Sequence, residues 1–244
     1  MDAQTNMIKT GIEGLDDLIG GGIPFANQVV LAGGPGAGKT LLSFEILYRN
    51  AKAGNKGIYF SLEESEGKLI SNLKSTFSQF TDVDDLIKKK IIIVEGRQIS
   101  AELSNRPSET EHEFGNIVSQ MESMIFKESA KLIIVDSSAI LSLLVQTPLM
   151  YRRLMLALSS NFRRLGVTTI LIVESNNLER SKVEFKPEYF IFDGIIMMYQ
   201  NGKQEKRTTG IEVIKMRGAK HSFYTAPYEI TSSGIKISPI TDQI

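Results

Sequence analysis

A glycine-rich run ends in a lysine and a threonine at residues 33–40, reading Gly-Gly-Pro-Gly-Ala-Gly-Lys-Thr. It matches the pattern G-x-x-x-x-G-K-[ST] in full, between an apolar strand-like segment and a helix-like one. Such glycines let the backbone turn tightly and aim N–H groups inward, while the helix start adds partial positive charge. The pattern predicts a phosphate site, with Lys39 reaching the β- and γ-phosphates of a nucleotide and the Thr40 hydroxyl binding Mg²⁺. The residues expected to contact the nucleotide are Gly33, Gly34, Pro35, Gly36, Ala37, Gly38, Lys39, Thr40 and Leu41.

A second candidate site lies at the end of an apolar run, Lys131-Leu-Ile-Ile-Val-Asp136. Continuous β-branched and leucine residues are typical of a buried parallel strand. A carboxylate at the carboxyl end of such a strand lies beside a phosphate loop in nucleotide-binding folds, where it binds Mg²⁺ through water. We therefore expect Asp136 to be the metal partner, although an aspartate can also merely end a strand.

Two adjacent carboxylates, Glu63 and Glu64, follow the strand-like segment Gly57–Ser61. A carboxylate in this place can orient and deprotonate a water for attack on the γ-phosphate. Acidic pairs are also common at solvated helix starts, since they complement the helix dipole. The position favours the catalytic interpretation for at least one of them, and Glu63 is preferred because the first carboxylate past the strand should point into the cleft.

Short apolar strands alternate with longer amphipathic stretches along the chain, which predicts a parallel sheet covered by helices on both faces. After Glu188 the pattern changes to short strand-like runs joined by turns, so we expect an antiparallel end to the sheet. The predicted strands are 27–32, 57–61, 91–95, 131–136 and 168–173, then 191–199, 207–216, 222–230 and 235–238. The predicted helices are 12–19, 39–53, 66–75, 112–129 and 149–165. One domain over residues 1–244 accounts for all of them.

Composition restricts the partners. The 28 basic residues balance the 28 acidic ones, so the net charge of +0 provides no global attraction to nucleic acid or anionic membranes. The absence of cysteine removes disulfides and thiol chemistry. No apolar run approaches the roughly 18 residues of a membrane span, and the start of the chain lacks a signal-peptide pattern. We expect a cytoplasmic protein without a membrane partner.

Five segments together resemble a domain of the KaiC family within the RecA-like ATPases. They are Thr10-Gly-Ile-Glu-Gly-Leu-Asp-Asp-Leu-Ile-Gly-Gly-Gly-Ile-Pro24, the phosphate loop, Ser61-Leu-Glu-Glu-Ser65, Ile133-Ile-Val-Asp-Ser-Ser138 and Lys215-Met-Arg-Gly-Ala-Lys-His221. The opening and the ending are the most restrictive of these. The resemblance implies a RecA-like fold, ATP and Mg²⁺ as cofactors, catalysis by Glu63 and Glu64, and homo-oligomeric rings or filaments with ATP at subunit interfaces.

The resemblance also implies that the basic ending contacts ATP held by a neighbouring subunit. Lys215 and Arg217 would project from one face of a strand, two residues apart, so both could reach one phosphate group as a trans-acting arginine finger does. The alternative is a cationic strand that blunts a sheet edge. His221 could contact the base or ribose, or could be an ordinary turn histidine.

Two polar segments after sheet strands, 97–115 and 175–189, are candidates for the specific function, because such loops line the central channel in RecA-like rings. Arg97 and Arg106 lie in the first, and Arg180, Lys182 and Lys186 alternate with aromatic residues in the second. Cations and aromatic rings can hold single-stranded DNA, whereas charged runs are more often solvated loops. Two functions are considered: ATP-driven assembly on single-stranded DNA, as in a recombinase paralogue, or a signalling switch whose ATP state is recognised by a protein partner.

Overall fold

The computed structural model describes residues 7–96, 110–175, 179–182, 185–201 and 208–238. Its helices are α1 (Leu15–Leu18), α2 (Lys39–Lys52), α3 (Glu66–Thr76), α4 (Val83–Lys88), α5 (Thr110–Glu128), α6 (Ser138–Leu143) and α7 (Pro148–Arg164). Its strands are β1 (Met7–Ile8), β2 (Ile23–Pro24), β3 (Gln28–Gly33), β4 (Gly57–Ser61), β5 (Ile92–Gly96), β6 (Leu132–Asp136), β7 (Thr168–Glu174), β8 (Gly194–Asn201), β9 (Thr208–Met216), β10 (Ala226–Thr231) and β11 (Gly234–Ile237).

Nine strands form one mixed sheet in the order β11-β10-β9-β8-β3-β7-β6-β4-β5. The six strands from β8 to β5 in this order are parallel, and β9, β10 and β11 extend the sheet by antiparallel pairing. The predicted α/β class, with a mostly parallel core and antiparallel C-terminal strands, is confirmed. The small pair β1 and β2, which the sequence pattern did not reveal, stands apart from this sheet.

The sheet separates two apolar cores because successive residues of a strand point to opposite faces. On β3, Val29 and Leu31 pack on the side of α1 to α4, whereas Val30 and Ala32 pack on the side of α5, α6 and α7. All six residues of β3 are buried, which explains why its sequence is apolar at every position except the first. The central strand therefore holds the phosphate loop on a rigid base.

Local signals account for the helix starts next to the site. Gly38 precedes α2 with a φ of 88°, and the side chain of Thr147 accepts a hydrogen bond from the backbone of Met150 at 3.2 Å, with Pro148 as the first residue of α7. The short helices α4 and α6 were not predicted, and α6 begins where Ser137 caps it. None of the helices in the described ranges has the length and apolar character that crossing a bilayer requires.

Candidate functional site at the carboxyl edge of the parallel strands

The phosphate loop leaves the carboxyl end of β3 and enters α2 through glycines in the left-handed region. Gly36 has a φ of 76° and Gly38 a φ of 88°, values that side chains other than glycine rarely adopt. A Cβ on Gly38 would also approach the Cδ1 of Ile230 to 2.6 Å. The backbone conformation thus requires glycine at both positions. Leu41 follows in the first turn of α2, where it packs against the apolar core.

The ammonium group of Lys39 lies inside the loop. It donates to the carbonyl of Gly33 at 2.9 Å and to that of Gly34 at 3.0 Å, and only 8% of the residue is exposed. Burial lowers the pKa of Lys39, and the carboxylates of Glu174, Asp136 and Glu63 oppose that change. A cation enclosed in this way is well suited to meet an anionic ligand at the mouth of the loop.

Asp136 ends β6 beside the loop. Its Oδ2 accepts a hydrogen bond from the Thr40 hydroxyl at 2.8 Å and another from the buried Tyr59 hydroxyl at 2.6 Å. Burial raises the pKa of Asp136, while the two hydroxyl donors counteract this rise. The hydroxyl and the carboxylate present the hard oxygen ligands that Mg²⁺ prefers, and Mg²⁺ is commonly held by one or two such groups with phosphates and waters. The residues present therefore fit Mg²⁺.

The two adjacent glutamates point to different surroundings. The Ser137 hydroxyl donates to Oε1 of Glu63, so this carboxylate faces the end of β6 next to Asp136. Glu64 instead forms an ion pair with Lys68 at 2.9 Å and accepts from the side-chain amide of Asn72 at 3.4 Å. Both partners belong to α3, so the Glu64 side chain lies along that helix and away from the phosphate loop.

Lys215 and Arg217 are held near the amino ends of the parallel strands, at the opposite end from the phosphate loop. Lys215 donates to the carbonyl of Phe192 at 2.6 Å, and an Arg217 nitrogen lies 3.4 Å from a carboxylate oxygen of Asp193. In the strand register, Met216 lies opposite Gly194 and Gly194 opposite Val29, whereas the phosphate loop begins at Gly33. Four residues of strand separate the two levels, about 13 Å. The basic pair therefore does not face the phosphate loop of its own chain.

The backbone of Arg217 is fixed on both sides. Its N–H donates to the Asp193 carbonyl at 2.9 Å, and its carbonyl accepts from the Asn27 side chain at 2.8 Å. Asp193 is itself anchored by the side chain of Arg163 at 2.7 Å and by the backbone N–H of Gln28 at 3.0 Å. The Arg217 guanidinium is thus presented from a rigid base, and its side chain is 57% exposed.

The opening motif supports the segment that carries His221. Asp16 accepts from the backbone and the hydroxyl of Thr10, both at 2.8 Å, which closes the opening turn. A Cβ on Gly20 would lie 1.8 Å from the carbonyl of Lys220, so only glycine permits this close packing. His221 stays near the surface, with its ring 5.0 Å from that of Phe223, which is 82% exposed.

Comparison with known protein families matches residues 8–242 to the family described as "ATPase: KaiC". The chain belongs to the KaiC family of ATPases. A UPF0273 protein of Aeropyrum pernix is 31% identical over 238 residues, which cover 95% of this chain and 93% of that protein. The circadian clock protein KaiC2 of Synechocystis is also 31% identical, and the match covers 96% of this chain but 40% of that longer protein.

A solved structure of a KaiC-like protein from the archaeon Pyrococcus horikoshii has the same fold, with a TM-score of 0.80 and 27% identity. The match covers 96% of this chain and all of that one. The resemblance read from the sequence motifs is therefore confirmed, as are the family's RecA-like fold and its class as a nucleotide-binding ATPase.

One carboxylate beside the KaiC-family phosphate loop was missed in the sequence. Glu174 ends β7 and lies opposite Gly33 in the strand register. Of the three carboxylates that raise the pKa of Lys39, it has the largest effect. The apolar run before it could have suggested a strand-end carboxylate. The sequence does not reveal, however, that β7 is the direct neighbour of β3. Tyr59, which holds Asp136, was missed for the same reason.

The two candidate channel segments differ in what the structure describes. Arg97 and Arg106 lie outside the described residues. In the second segment, a short 3-10 helix forms at Arg180–Lys182. Another at Pro187–Ile191 occupies the start of the strand predicted from residue 191, so β8 begins only at Gly194. Arg180 forms a two-pronged ion pair with Glu212 at 2.6 and 2.9 Å, and Lys182 pairs with Glu179 at 3.0 Å. These pairs neutralise two of the cations that were considered for phosphate binding.

Proposed function

We propose that this chain binds ATP with Mg²⁺ at the phosphate loop and hydrolyses it to ADP and phosphate. The observation that carries the proposal is the 2.8 Å contact between the Thr40 hydroxyl and Asp136, with Glu63 held beside Asp136 through Ser137. Membership of the KaiC ATPase family supports it. Thr40 and Asp136 would hold Mg²⁺, which would supply positive charge to neutralise the β- and γ-phosphates.

Each protein group has a distinct part in the reaction. Lys39 binds the β- and γ-phosphates, and the backbone N–H groups of the loop hold the phosphate chain. Glu63 orients a water and takes its proton as the water oxygen bonds to the γ-phosphorus. The bond between this phosphorus and the bridging oxygen breaks, and the oxygen leaves with ADP. Glu64 supports the start of α3 through Lys68 rather than touching the water.

This assignment predicts a split between the two glutamates. Glu63→Gln should lower the turnover number by about 10²- to 10³-fold while ATP still binds, because an amide cannot accept the proton. Glu64→Gln is the matched control and should keep turnover within about twofold, since its partly exposed ion pair with Lys68 contributes little. Phosphate release and ATP titration measure the two effects. Equal losses of turnover in both variants would refute the assignment to Glu63 alone.

We further propose that the site is completed by a second copy of the chain. Lys215 and Arg217 are anchored about 13 Å along the strands from their own phosphate loop, near the amino ends of the parallel strands. A neighbour packed head to tail would bring its basic pair to the phosphates, and such contacts close into rings or extend as filaments. Specific activity should therefore rise with protein concentration. Activity independent of concentration would contradict a shared site.

Between the two functions, the contacts favour a switch read by a protein over assembly on single-stranded DNA. Arg180 and Lys182 are engaged in ion pairs, and the net charge of the chain is +0. We expect ATP-bound protein to bind a labelled single strand of DNA only weakly. Replacing Lys182 and Lys186 with alanine should leave the salt dependence of this binding unchanged. Fluorescence anisotropy at low salt tests this. Tight, ATP-dependent binding that weakens steeply with salt would establish the DNA function instead.

A further inference from the structure

Two side chains from the C-terminal part of the sheet, one on β8 and one on β10, hold the outer side of the phosphate loop. The side-chain amide of Gln200 on β8 donates to the carbonyl of Gly36 at 2.7 Å, and the hydroxyl of Tyr228 on β10 donates to the carbonyl of Ala37 at 2.7 Å. Both Tyr228 and Ala37 are almost completely buried. We call Gln200 and Tyr228 the carbonyl clamp.

The clamp acts on two successive peptide groups of the phosphate loop, and the second of them, between Ala37 and Gly38, must turn its N–H toward a phosphate. A peptide bond is planar and trans, so the carbonyl of Ala37 and the N–H of Gly38 point in opposite directions. By holding this carbonyl toward β10, Tyr228 turns the Gly38 N–H toward the interior of the loop. On the other side of Ala37, the carbonyl of Gly36 is held by Gln200, while the Ala37 N–H closes the turn onto the Gly34 carbonyl at 3.3 Å.

A restraint is needed here because Gly36 and Gly38 have no side chain to limit their backbone angles. Without a partner, the Ala37–Gly38 peptide could rotate and direct its carbonyl oxygen toward the phosphates, where like charges repel. Burial raises the pKa of Tyr228 to about 12, so its hydroxyl remains a proton donor throughout the physiological pH range. The hydroxyl thus supplies a permanent restraint.

We propose that Tyr228, assisted by Gln200, is a positioning residue that preorganises the phosphate loop for nucleotide binding. The inference rests on the proposed ATP binding and extends the site to Tyr228, which lies 191 positions after Ala37 in the sequence. Donors that are already oriented need no rearrangement when a phosphate arrives, so their alignment is expressed as affinity. Because the Gly38 N–H contacts phosphate in the ground state as well as during reaction, the clamp should affect KM more than kcat.

The test removes the hydroxyl group of Tyr228. Tyr228→Phe should weaken Mg-ATP and Mg-ADP binding by about tenfold, as expected when a buried carbonyl loses its donor. The KM for ATP should rise in proportion, with kcat within about twofold. Tyr199→Phe is the matched control, because this equally buried tyrosine on β8, two strands away in the same sheet, interacts with Glu212 and Arg180 instead of the loop. Calorimetric titration and thermal melting without nucleotide are measured for both.

Each outcome decides the proposal. A loss of affinity in Tyr228→Phe, with melting lowered in both variants and affinity kept in Tyr199→Phe, supports it. Unchanged affinity in Tyr228→Phe, or the same loss in both variants, overturns it. Failure of the wild-type chain to bind Mg-ATP would refute the proposed function itself and leave Tyr228 a core tyrosine. If Tyr228→Phe does not fold, the half-buried Gln200→Ala should weaken binding about threefold, and unchanged binding would overturn the clamp.

Discussion

Replacing Lys39 with alanine should abolish ATP turnover and weaken ATP binding strongly. The change removes the buried cation that the loop encloses between the carbonyls of Gly33 and Gly34. Without it, the negative charge of the β- and γ-phosphates is poorly compensated both on binding and in the transition state. We expect turnover to fall by at least about 10³-fold. Phosphate release and calorimetric titration with Mg-ATP measure the two effects.

A matched control uses the same substitution on the same helix. Lys52 lies in the last turn of α2 and forms an exposed ion pair with Asp82. Lys52→Ala should keep turnover near the wild-type rate, since exposed pairs contribute little to stability and this one lies far from the loop. ATP hydrolysis at the wild-type rate in Lys39→Ala would contradict the phosphate site itself.

Removing Lys215 and Arg217 together should abolish hydrolysis for a different reason. Each chain keeps its own phosphate loop, so Lys215→Ala with Arg217→Ala should bind Mg-ATP almost normally. Turnover should nevertheless fall by about 10³-fold or more, the scale at which a trans-acting arginine contributes. The separation of binding from turnover distinguishes this variant from Lys39→Ala.

The control for this pair removes the same charge elsewhere. Lys88 and Lys89 are exposed at the end of α4, so Lys88→Ala with Lys89→Ala also deletes two cations. Wild-type turnover in this control, measured by phosphate release at one protein concentration, would exclude a general effect of net charge. Wild-type turnover in the Lys215 and Arg217 variant would show that the basic ending has no part in hydrolysis.

The parts of the site that are local in sequence could be predicted. The phosphate loop is specified by its glycines, and Asp136 by the apolar strand that it ends, because a buried parallel strand is a continuous apolar run. Glu63 followed from its place after β4. Each of these features can be predicted from the residues next to it in the sequence. The same holds for the change to antiparallel strands at the end of the chain.

The parts that depend on strand order could not be predicted. Glu174 reaches the phosphate loop because β7 pairs with β3. Tyr228 reaches the carbonyl of Ala37 because the antiparallel strand β10 lies beside the loop. Neither neighbour is encoded in a local pattern. The strand predicted to begin at residue 222 begins at Ala226, since the backbone N–H of Ser222 donates instead to the carbonyl of Leu18 at 2.8 Å. That tertiary contact keeps the start of the segment out of the sheet.

The central claim is that one ATP site is built from two chains, and a mixing experiment tests it most directly. Lys39→Ala supplies an intact basic pair, and Lys215→Ala with Arg217→Ala supplies an intact phosphate loop. Random mixing at equal concentration should restore about a quarter of the wild-type activity, because one in four head-to-tail interfaces then joins the two intact halves. Phosphate release is measured for each variant alone and for the mixture. Recovery in the mixture is the predicted result, whereas a mixture as inactive as its components, under conditions where the chains assemble, would contradict the shared site.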